Sequence, residues 1–562
     1  MIIENVIGAL DALFIFETMA LMAVGVFAGL MAGAIPGFTI TMAVVLTLPF
    51  TFGMSSIQGV AIMVCVLVGG LSGGLMSGIL TGIPGTPSSV ATTFDGFPMT
   101  RNGQPGLALG IGVWSSFFGG TISAILLMTL APQLAKIGLE FHPWDYFSLV
   151  MFALTITASL SGANLVKGLI AGMLGLLVQT IGEDEIIGVA RFNFGNEALL
   201  QGFDFLPVLI GLFAFSQLLF DVKDPKSAVK SLAEGGKTSA VIEHRKALIE
   251  IFKRWTIVVR SALIGVFTGI LPGAGGSVAN ILAYDQAKKA SKYPEKFGTG
   301  IPDGIIAPET SNNAVEGGAL ITMMALGIPG DVTAAVMLGA LLIHDVVPSP
   351  SFISDEPILA YSIFMAFFIG NFMMLAFQSV TLRLFILVTR VRKYVLASVI
   401  LALCGIGVFS LHNIEFDLWA LFWFGMLVFL MRQFGFPLAP MILGVVLGNI
   451  AEINLARALA ISSDLSLFVT RPWSLLFLLI ALFSIIFPYF QHNRGKKIWT
   501  LFFLPAALFS ISVPLMMMGG IPRPTIAVCL VVFGFWTLYK RGKKRWDPTQ
   551  LSVLEHEFTK GK

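Results

Sequence analysis

Charge is what this chain has least of. Only 12% of its 562 residues are Asp, Glu, Lys or Arg, against 56% hydrophobic, and the mean hydropathy is +0.87. A soluble domain carries about 25% charged residues, so this scarcity excludes a water-solvated globule and makes lipid the main solvent. Cysteine is sparse as well. Cys65, Cys404 and Cys529 each sit inside an apolar run without CxxC spacing, which argues against a disulfide framework or a zinc site. The six histidines are scattered and show no metal-ligand spacing. No GxSxG, HExxH or Walker A string is present, and Asp331 has no evident partner for an aspartyl dyad, so a membrane enzyme lacks a defensible nucleophile–base pair. The opening Met1-Ile2-Ile3-Glu4-Asn5 lacks the basic n-region of a signal peptide, so the first apolar run is expected to be retained. The net charge of +3 carries no signal for nucleic acid, and none is expected as a partner.

Apolar runs fill the space that charge leaves. Stretches near the length of a bilayer-spanning helix, about 20 residues, recur from Leu13–Gly33 to Thr525–Tyr539. The alternating ten-residue segments of a barrel are not seen. The expected fold is an all-α polytopic membrane protein.

Two short strings divide the apolar sequence into matching halves. Gly82-Ile83-Pro84-Gly85 and Gly327-Ile328-Pro329-Gly330 are 245 positions apart. GVFAGLMAGA at Gly25–Ala34 returns as GVFTGILPGA at Gly265–Ala274, offset by 240. Chance repetition of short glycine strings does not explain one order at nearly one offset, so the pattern implies an internal duplication. Gly-Pro breaks at matching places in two apolar halves point to the binding site of a secondary transporter, built from broken or re-entrant helices.

Loop charge suggests how the halves are oriented. The longest polar stretch, Asp221–Trp255, carries Lys223, Lys226, Lys230, Lys237, Arg245, Lys246, Lys253 and Arg254, and the positive-inside rule makes it cytoplasmic. NRGKK at Asn493–Lys497 and KRGKKR at Lys540–Arg545 fall on the same side, whereas Glu183-Asp184-Glu185 and the N-terminus with Glu4 and Asp11 fit outside. Seven crossings precede the basic stretch. An odd number starts the second copy from the opposite face, so the repeat is expected to be inverted. The loop around Glu140 and Asp145 maps onto Arg383–Lys393 with opposite charge bias, as inverted copies require. The expected organisation is a first repeat over 1–220, a basic linker over 221–255, a second repeat over 256–490, and a C-terminal two-helix extension with a basic tail over 491–562. Ala283–Thr310 resists this scheme: it is too polar to span, yet its counterpart, Phe38–Leu67, is apolar.

The densest polar sequence in a hydrophobic setting runs from Gly265 to Asp331. A helix that starts just after Pro-Gly presents free N–H groups and a positive dipole end, suited to a carboxylate. Carbonyls freed on the other side of the break suit a cation such as Na⁺. Pro84, Gly85, Thr86, Ser88, Ser89 and Thr92 of the first copy, with Thr93 beside them, form a neutral donor-rich cluster. With Pro329, Gly330 and Thr333 of the second copy, they are the candidate substrate-binding residues; the plainer role for each hydroxyl is helix capping. Asp331 suits a coupling cation or a proton, and Asn280, Asn312, Asn313 and Glu316 join it as candidates for the coupling ion. Asp285, Asp303 and Glu309 are further carboxylates of the block, and Asp285, followed by Lys288 and Lys289, fits a solvated position. Apart from that Na⁺ or H⁺, no metal or cofactor is expected.

The strings LPGAGGSVANILAYDQAKKASKYPEKFGTGIPDGIIAPETSNNAVEGGALITMMALGIPGD, AGAIPGFTITMAVVLTLPFTFG and GILTGIPGTPSSVATTFDGFPM resemble TctA, the large membrane subunit of the tripartite tricarboxylate transporter family. The resemblance covers roughly residues 1–490 and departs in the tail, which leaves open whether part of the small subunit's role lies in this chain. It implies a permease of the bacterial inner membrane, with the N-terminus periplasmic and the C-terminus cytoplasmic by the charge argument above. It also implies two partners, a periplasmic solute-binding protein and a small four-helix membrane subunit. Uptake would be coupled to a cation gradient, without ATP, and would carry tri- or dicarboxylates or aromatic acids. A stand-alone carboxylate symporter and, more remotely, an intramembrane enzyme are the competing readings.

Overall fold

The computed structural model describes residues 2–35, 38–161, 164–184, 186, 188–223, 241–380, 393–543 and 545–548. Lys226, Lys230 and Lys237, the loop from Arg383 to Arg392, Glu185 and Lys544, all used above to orient the chain, lie outside the described residues. Among the described residues the regular structure is helical, apart from a two-stranded antiparallel ribbon pairing Gly182–Glu183 with Ala190–Arg191. Among the described residues, eight helices are long and apolar enough to cross a membrane. The chain forms two compact units, Met1–Leu139 with Asn193–Phe434 and Glu140–Phe192 with Gly435–Lys562.

The first unit runs through one order of elements twice. Helix Phe16–Ala34, half-length helix Ile40–Thr51, long helix Ser56–Thr81, short helix Val90–Arg101 and long helix Pro105–Gly138 make the first pass. Trp255–Ile270, Gly275–Ala290, Asp303–Leu326, Val332–Ile343 and Pro357–Val380 make the second. The GIPG strings explain the breaks. Gly82 and Gly327 end the long helices in the left-handed conformation, φ 76° and 72°, and their N–H groups close the last turns on Gly78 O and Met323 O. Pro84 and Pro329 then lack the N–H that continuing the helix would need. A new helix starts only after Thr86 or Asp331.

This element order resolves the stretch that defied the sequence reading. Ala283–Thr310 is not a span. It is the end of a half-length helix, a tight turn over Pro294–Lys296, and the start of the long Asp303–Leu326 helix. Its apolar counterpart has the same hairpin shape, from Ile40–Thr51 into Ser56–Thr81. Polarity differed while architecture did not, because a half-helix hairpin need not face lipid along its length.

Small residues hold each copy together. A Cβ on Gly29 would lie 2.1 Å from Val66 O, and one on Gly269 would lie 2.0 Å from Val315 O, so both helix pairs touch backbone to backbone. Lipid supplies no hydrophobic drive between helices, so close packing of this kind must supply the attraction. Gly85 in turn abuts Gly33 O and Gly74, and Gly330 abuts Gly269 O and Ala319. Contacts between copies are reciprocal. Ile40–Thr51 packs on Val332–Ile343, and Gly275–Ala290 packs on Pro87–Ser89 and Val90–Arg101. Ser56–Thr81 packs on Pro357–Val380, and Asp303–Leu326 packs on Pro105–Gly138.

The second unit contains helices Pro143–Leu160, Leu165–Gln179, Leu438–Ile461 and Pro472–Asn493, then the C-terminal hairpin Thr500–Met517 and Pro522–Lys543. Phe503 ties the hairpin to Pro472–Asn493, stacking on Phe490 with ring centroids 4.4 Å apart and meeting Phe483 edge-on. Buried Asp145 accepts hydrogen bonds from His142 N, Ser474 N and Arg471. Arg191, on the ribbon, pairs with Asp184 and Glu452.

Candidate functional site

Four short helices begin inside the first unit, each just after a glycine- or proline-containing break: Ile40–Thr51, Val90–Arg101 with its leading turn Pro87–Ser89, Gly275–Ala290 and Val332–Ile343. Three of the four starts are closed by local side-chain bonds, and Gly275–Ala290 has no side-chain cap. Thr39 accepts from Met42 N at 3.1 Å, Ser89 accepts from Thr86 N at 3.4 Å and donates to Thr86 O, and Asp331 accepts from Ala334 N at 2.8 Å. The starts are joined across the copies. Thr41 Oγ1 and Thr333 Oγ1 are 3.0 Å apart, and Asn280 Nδ2 donates to Ser88 O. Thr333 is the repeat counterpart of Ser88, and Asn280 is close to that of Thr41, so one contact is made twice by exchange of the copies.

Gly275 and Gly276 are where this cluster packs most closely. A Cβ on Gly276 would lie 2.8 Å from Ser88 Cβ and 2.9 Å from Asn312 Oδ1, and one on Gly275 would lie 3.5 Å from Asp331 Cβ. Gly275 also has φ +56°, a backbone that favours glycine. Ser88 and Asp331, each just past a GIPG string, therefore meet the same glycine pair. The GIPG tips themselves pack within their own copies, Pro84-Gly85 under Gly33 and Pro329-Gly330 under Gly269, and Gly273 N donates to Gly330 O at 2.9 Å.

The Asp303–Leu326 helix carries the polar side chains and is buried from Gly304 onward. Glu309 accepts from Thr92 Oγ1 at 2.5 Å and Ser116 Oγ at 3.0 Å. Asn313 is used at both ends: its Oδ1 accepts from Ser72 at 2.7 Å and its Nδ2 donates to Glu309 O. Asn312 donates to Leu71 O at 3.2 Å, but its Oδ1 has no partner. Asn280 Oδ1 and Glu316 Oε2 are buried without partners too. Glu316 faces Asp331, carboxyl to carboxyl. The sequence reading found no partner for Asp331; the chain supplies one because it doubles back at GIPG, a proximity that no short spacing encodes.

The candidates thus separate by geometry. Thr86, Ser88 and Ser89 bond one another at the start of Pro87–Ser89. Thr92 faces Glu309, and Thr93 bonds its own helix at Val90 O. Asn280, Asn312, Glu316 and Asp331 hold the free oxygens and the carboxyl pair, while Asn313 bolts two helices together. Asp285 is half-buried and paired with Lys289 at 2.5 Å, and Asp303 pairs with Arg254, so these two belong to the rim. Asp95 was missed. It is fully buried and accepts from Tyr284 and three backbone N–H groups of the second copy, and nothing in TTFDGFP marks it apart from its charge.

Among the described residues, no group of three or more His, Cys, Asp or Glu side chains is placed to hold a metal ion. The free oxygens at Asn280, Asn312 and Glu316 are amide and carboxylate in kind, the chemistry of hard cations.

A family model described as the tripartite tricarboxylate transporter TctA family matches residues 19–443. Two proteins of Agrobacterium vitis are similar to the chain. The uncharacterized 52.8 kDa protein in the TAR-I ttuC' 3' region is 32% identical over 479 residues, 84% of this chain and 93% of that protein. The uncharacterized protein in the TAR-II ttuC' 3' region is 32% identical over 234 residues, 42% of this chain and 97% of that protein. No solved structure matches the chain.

Proposed function

The chain belongs to the tripartite tricarboxylate transporter TctA family, and we propose that it is a cation-coupled secondary uptake permease for carboxylated organic anions. In this reading it sits in the bacterial inner membrane as two inverted repeats, with its N-terminus periplasmic and its C-terminus cytoplasmic. A periplasmic solute-binding protein delivers the substrate, and a small membrane subunit completes the assembly.

The observation that carries the reading is the set of four half-helix starts joined through Thr41–Thr333, Asn280–Ser88 and the Gly275–Gly276 pair. Each start contributes roughly half a positive charge and several free N–H groups, so the cluster can draw in a polycarboxylate without a lysine or arginine. The hydroxyls of Thr86, Ser88, Ser89 and Thr333 supply further donors. Pro84, Gly85, Pro329 and Gly330 let the backbone come close. Asn280, Asn312, Glu316 and Asp331 present oxygen where a hard cation would bind beside the anion, and cation and substrate would then favour each other's binding. A proton shared between Glu316 and Asp331 would couple transport equally well, and the same experiment separates the two.

The test is uptake of radiolabelled citrate and a panel of di- and aromatic carboxylates into proteoliposomes, against imposed Na⁺ and pH gradients, with and without the binding protein. Gradient-driven uptake that needs the binding protein is the expected result. Uptake without it would mark a stand-alone symporter. Because Glu316 and Asp331 form a buried carboxyl pair, cleavage of membrane peptides is scored in parallel; cleavage would favour the enzyme reading.

A further inference from the structure

Asp95 lies one helical turn beyond Thr92 on Val90–Arg101, and its carboxylate is fully buried. Oδ1 accepts from the backbone N–H groups of Gly298 at 2.9 Å, Gly300 at 2.8 Å and Ile301 at 3.0 Å, and Oδ2 accepts from Tyr284 Oη at 2.9 Å. Those N–H groups form an anion-binding nest, made possible by φ +91° at Gly298 and +105° at Gly300. A Cβ on Gly304 would lie 2.0 Å from Oδ2, so the carboxylate approaches as only glycine allows. The first copy's short helix is thereby fastened to the turn of the second copy's hairpin. The Tyr284 ring, edge-on to Phe94 and to Phe297 at 5.3 Å each, fills the space around the fastening.

The exchanged location in the other half is built differently. There His344 Nε2 and Thr51 Oγ1 are 2.9 Å apart and Ser56 donates to His344 O at 3.1 Å; no carboxylate takes part in these bonds. Hydrogen bonds to a charged acceptor are about twice as strong as neutral ones, so the two ends of the cluster are closed with unequal strength. They also differ in surroundings. Arg101, Lys288, Lys289, Lys292, Lys296 and Arg254 border the Asp95 end in sequence, whereas residues 38–60 and 327–380 contain neither Lys nor Arg. The positive-inside rule puts the Asp95 end in the cytoplasm.

We propose that Asp95 is the bolt of the cytoplasmic gate: it holds Val90–Arg101 against the Gly298–Ile301 turn while the site faces outward and releases it for each passage of substrate. The proposal rests on the transporter reading above. Asp95 does not touch substrate; it is a positioning residue that acts through the helix it pins, with Thr92 one turn back and Ser88 in the turn Pro87–Ser89 that leads into it. The stronger closure on this side keeps the empty site open first toward the periplasm, as uptake requires.

The test is thiol labelling, which needs no known substrate. In a chain with Cys65, Cys404 and Cys529 replaced by serine, Ser88→Cys is the reporter and a membrane-impermeant maleimide the probe. It is applied to inside-out and right-side-out vesicles in turn. Asp95→Asn is expected to raise labelling about tenfold from the cytoplasmic face only, since it loses charge-assisted bonds. Tyr284→Phe, which removes one donor, is expected to raise it about threefold from the same face. If Asp95→Asn fails to fold, as judged by gel filtration, Tyr284→Phe carries the test. Unchanged labelling, or an equal rise from both faces, would overturn the proposal and reduce Asp95 to a structural staple. Transport is measured separately in the chain with Ser88 intact: labelling as expected in the reporter, beside a Ser88-intact chain that transports none of the carboxylates tested, would sink the substrate assignment and leave the gate standing.

Discussion

Thr41 and Thr333 share a hydrogen bond of 3.0 Å between hydroxyls 292 positions apart, inside the unit where each half-length helix leans on the other copy. The corresponding bond of the exchanged pair runs from Asn280 to Ser88. These two contacts place the candidate anion donors on opposing helix starts, so their removal should register in substrate affinity.

Ser88→Ala and Thr333→Val are expected to raise the half-saturation concentration for uptake at little change in maximal rate. Loss of a donor to a charged carboxylate costs about 1.5–3 kcal/mol, roughly ten- to a hundredfold. Half-saturation unchanged in both variants, at normal expression, would remove these hydroxyls from the anion site.

Asp331→Asn preserves shape and removes one charge of the Glu316–Asp331 pair. Transport is expected to lose or change its dependence on the imposed cation gradient while the protein stays folded. Gradient dependence retained in full would count against Asp331, and Glu316→Gln would be the next variant to measure.

Gly29→Ala and Gly269→Ala probe the packing of the duplicated helix pairs. The added methyl meets a backbone carbonyl at 2.1 or 2.0 Å, which cannot swing aside as a side chain can. Each substitution is expected to destabilise the protein by about 1–3 kcal/mol. The thermal unfolding midpoint in detergent should fall in both, and an unchanged midpoint would mean that the helices separate more easily than their contacts imply.

Glu140 gives a pH dependence outside the spans. Arg523 donates to it at 2.6 Å and holds its carboxyl below the usual range, with Trp473 adding a weaker bond. A lowered carboxyl contributes stability above its unfolded-state pKa, and the contribution is lost as pH falls through the folded-state value. The pair is partly exposed, so the effect is well under about 1 kcal/mol. The wild type is expected to melt slightly above Glu140→Gln at pH 7, with the gap closing below about pH 4. A gap that persists in acid would refute the ion pair as its cause.

What the sequence made legible was whatever is local or repeated. The Gly-Pro breaks, the half-length helices after them and the polar face of Asp303–Leu326 all follow from residues adjacent in the chain. Pairings that need the folded chain were out of reach. Thr92 with Glu309, Asn280 with Ser88 and Asp95 with Gly298–Ile301 are each about two hundred residues apart, and a carboxylate bound by backbone N–H groups leaves no motif. Glu316 and Asp331 lie close in sequence but on either side of a reversal, so helical spacing failed to join them. Ala283–Thr310 left the crossings undecided for a related reason: hydropathy shows that the segment does not cross lipid, but not that it is the largely exposed turn of a half-length hairpin.

The reciprocal packing of the short helices has a consequence for how the chain can be divided. Glu309 of the second copy is satisfied by Thr92 and Ser116 of the first, and Ser72 of the first by Asn313 of the second. Severed within the basic stretch between them, either half alone would be left with buried polar groups unmatched and a long apolar helix face uncovered. Such fragments are complementary by construction: made together in one membrane, they should find each other and restore a transporter without a covalent link, and made singly they should be cleared.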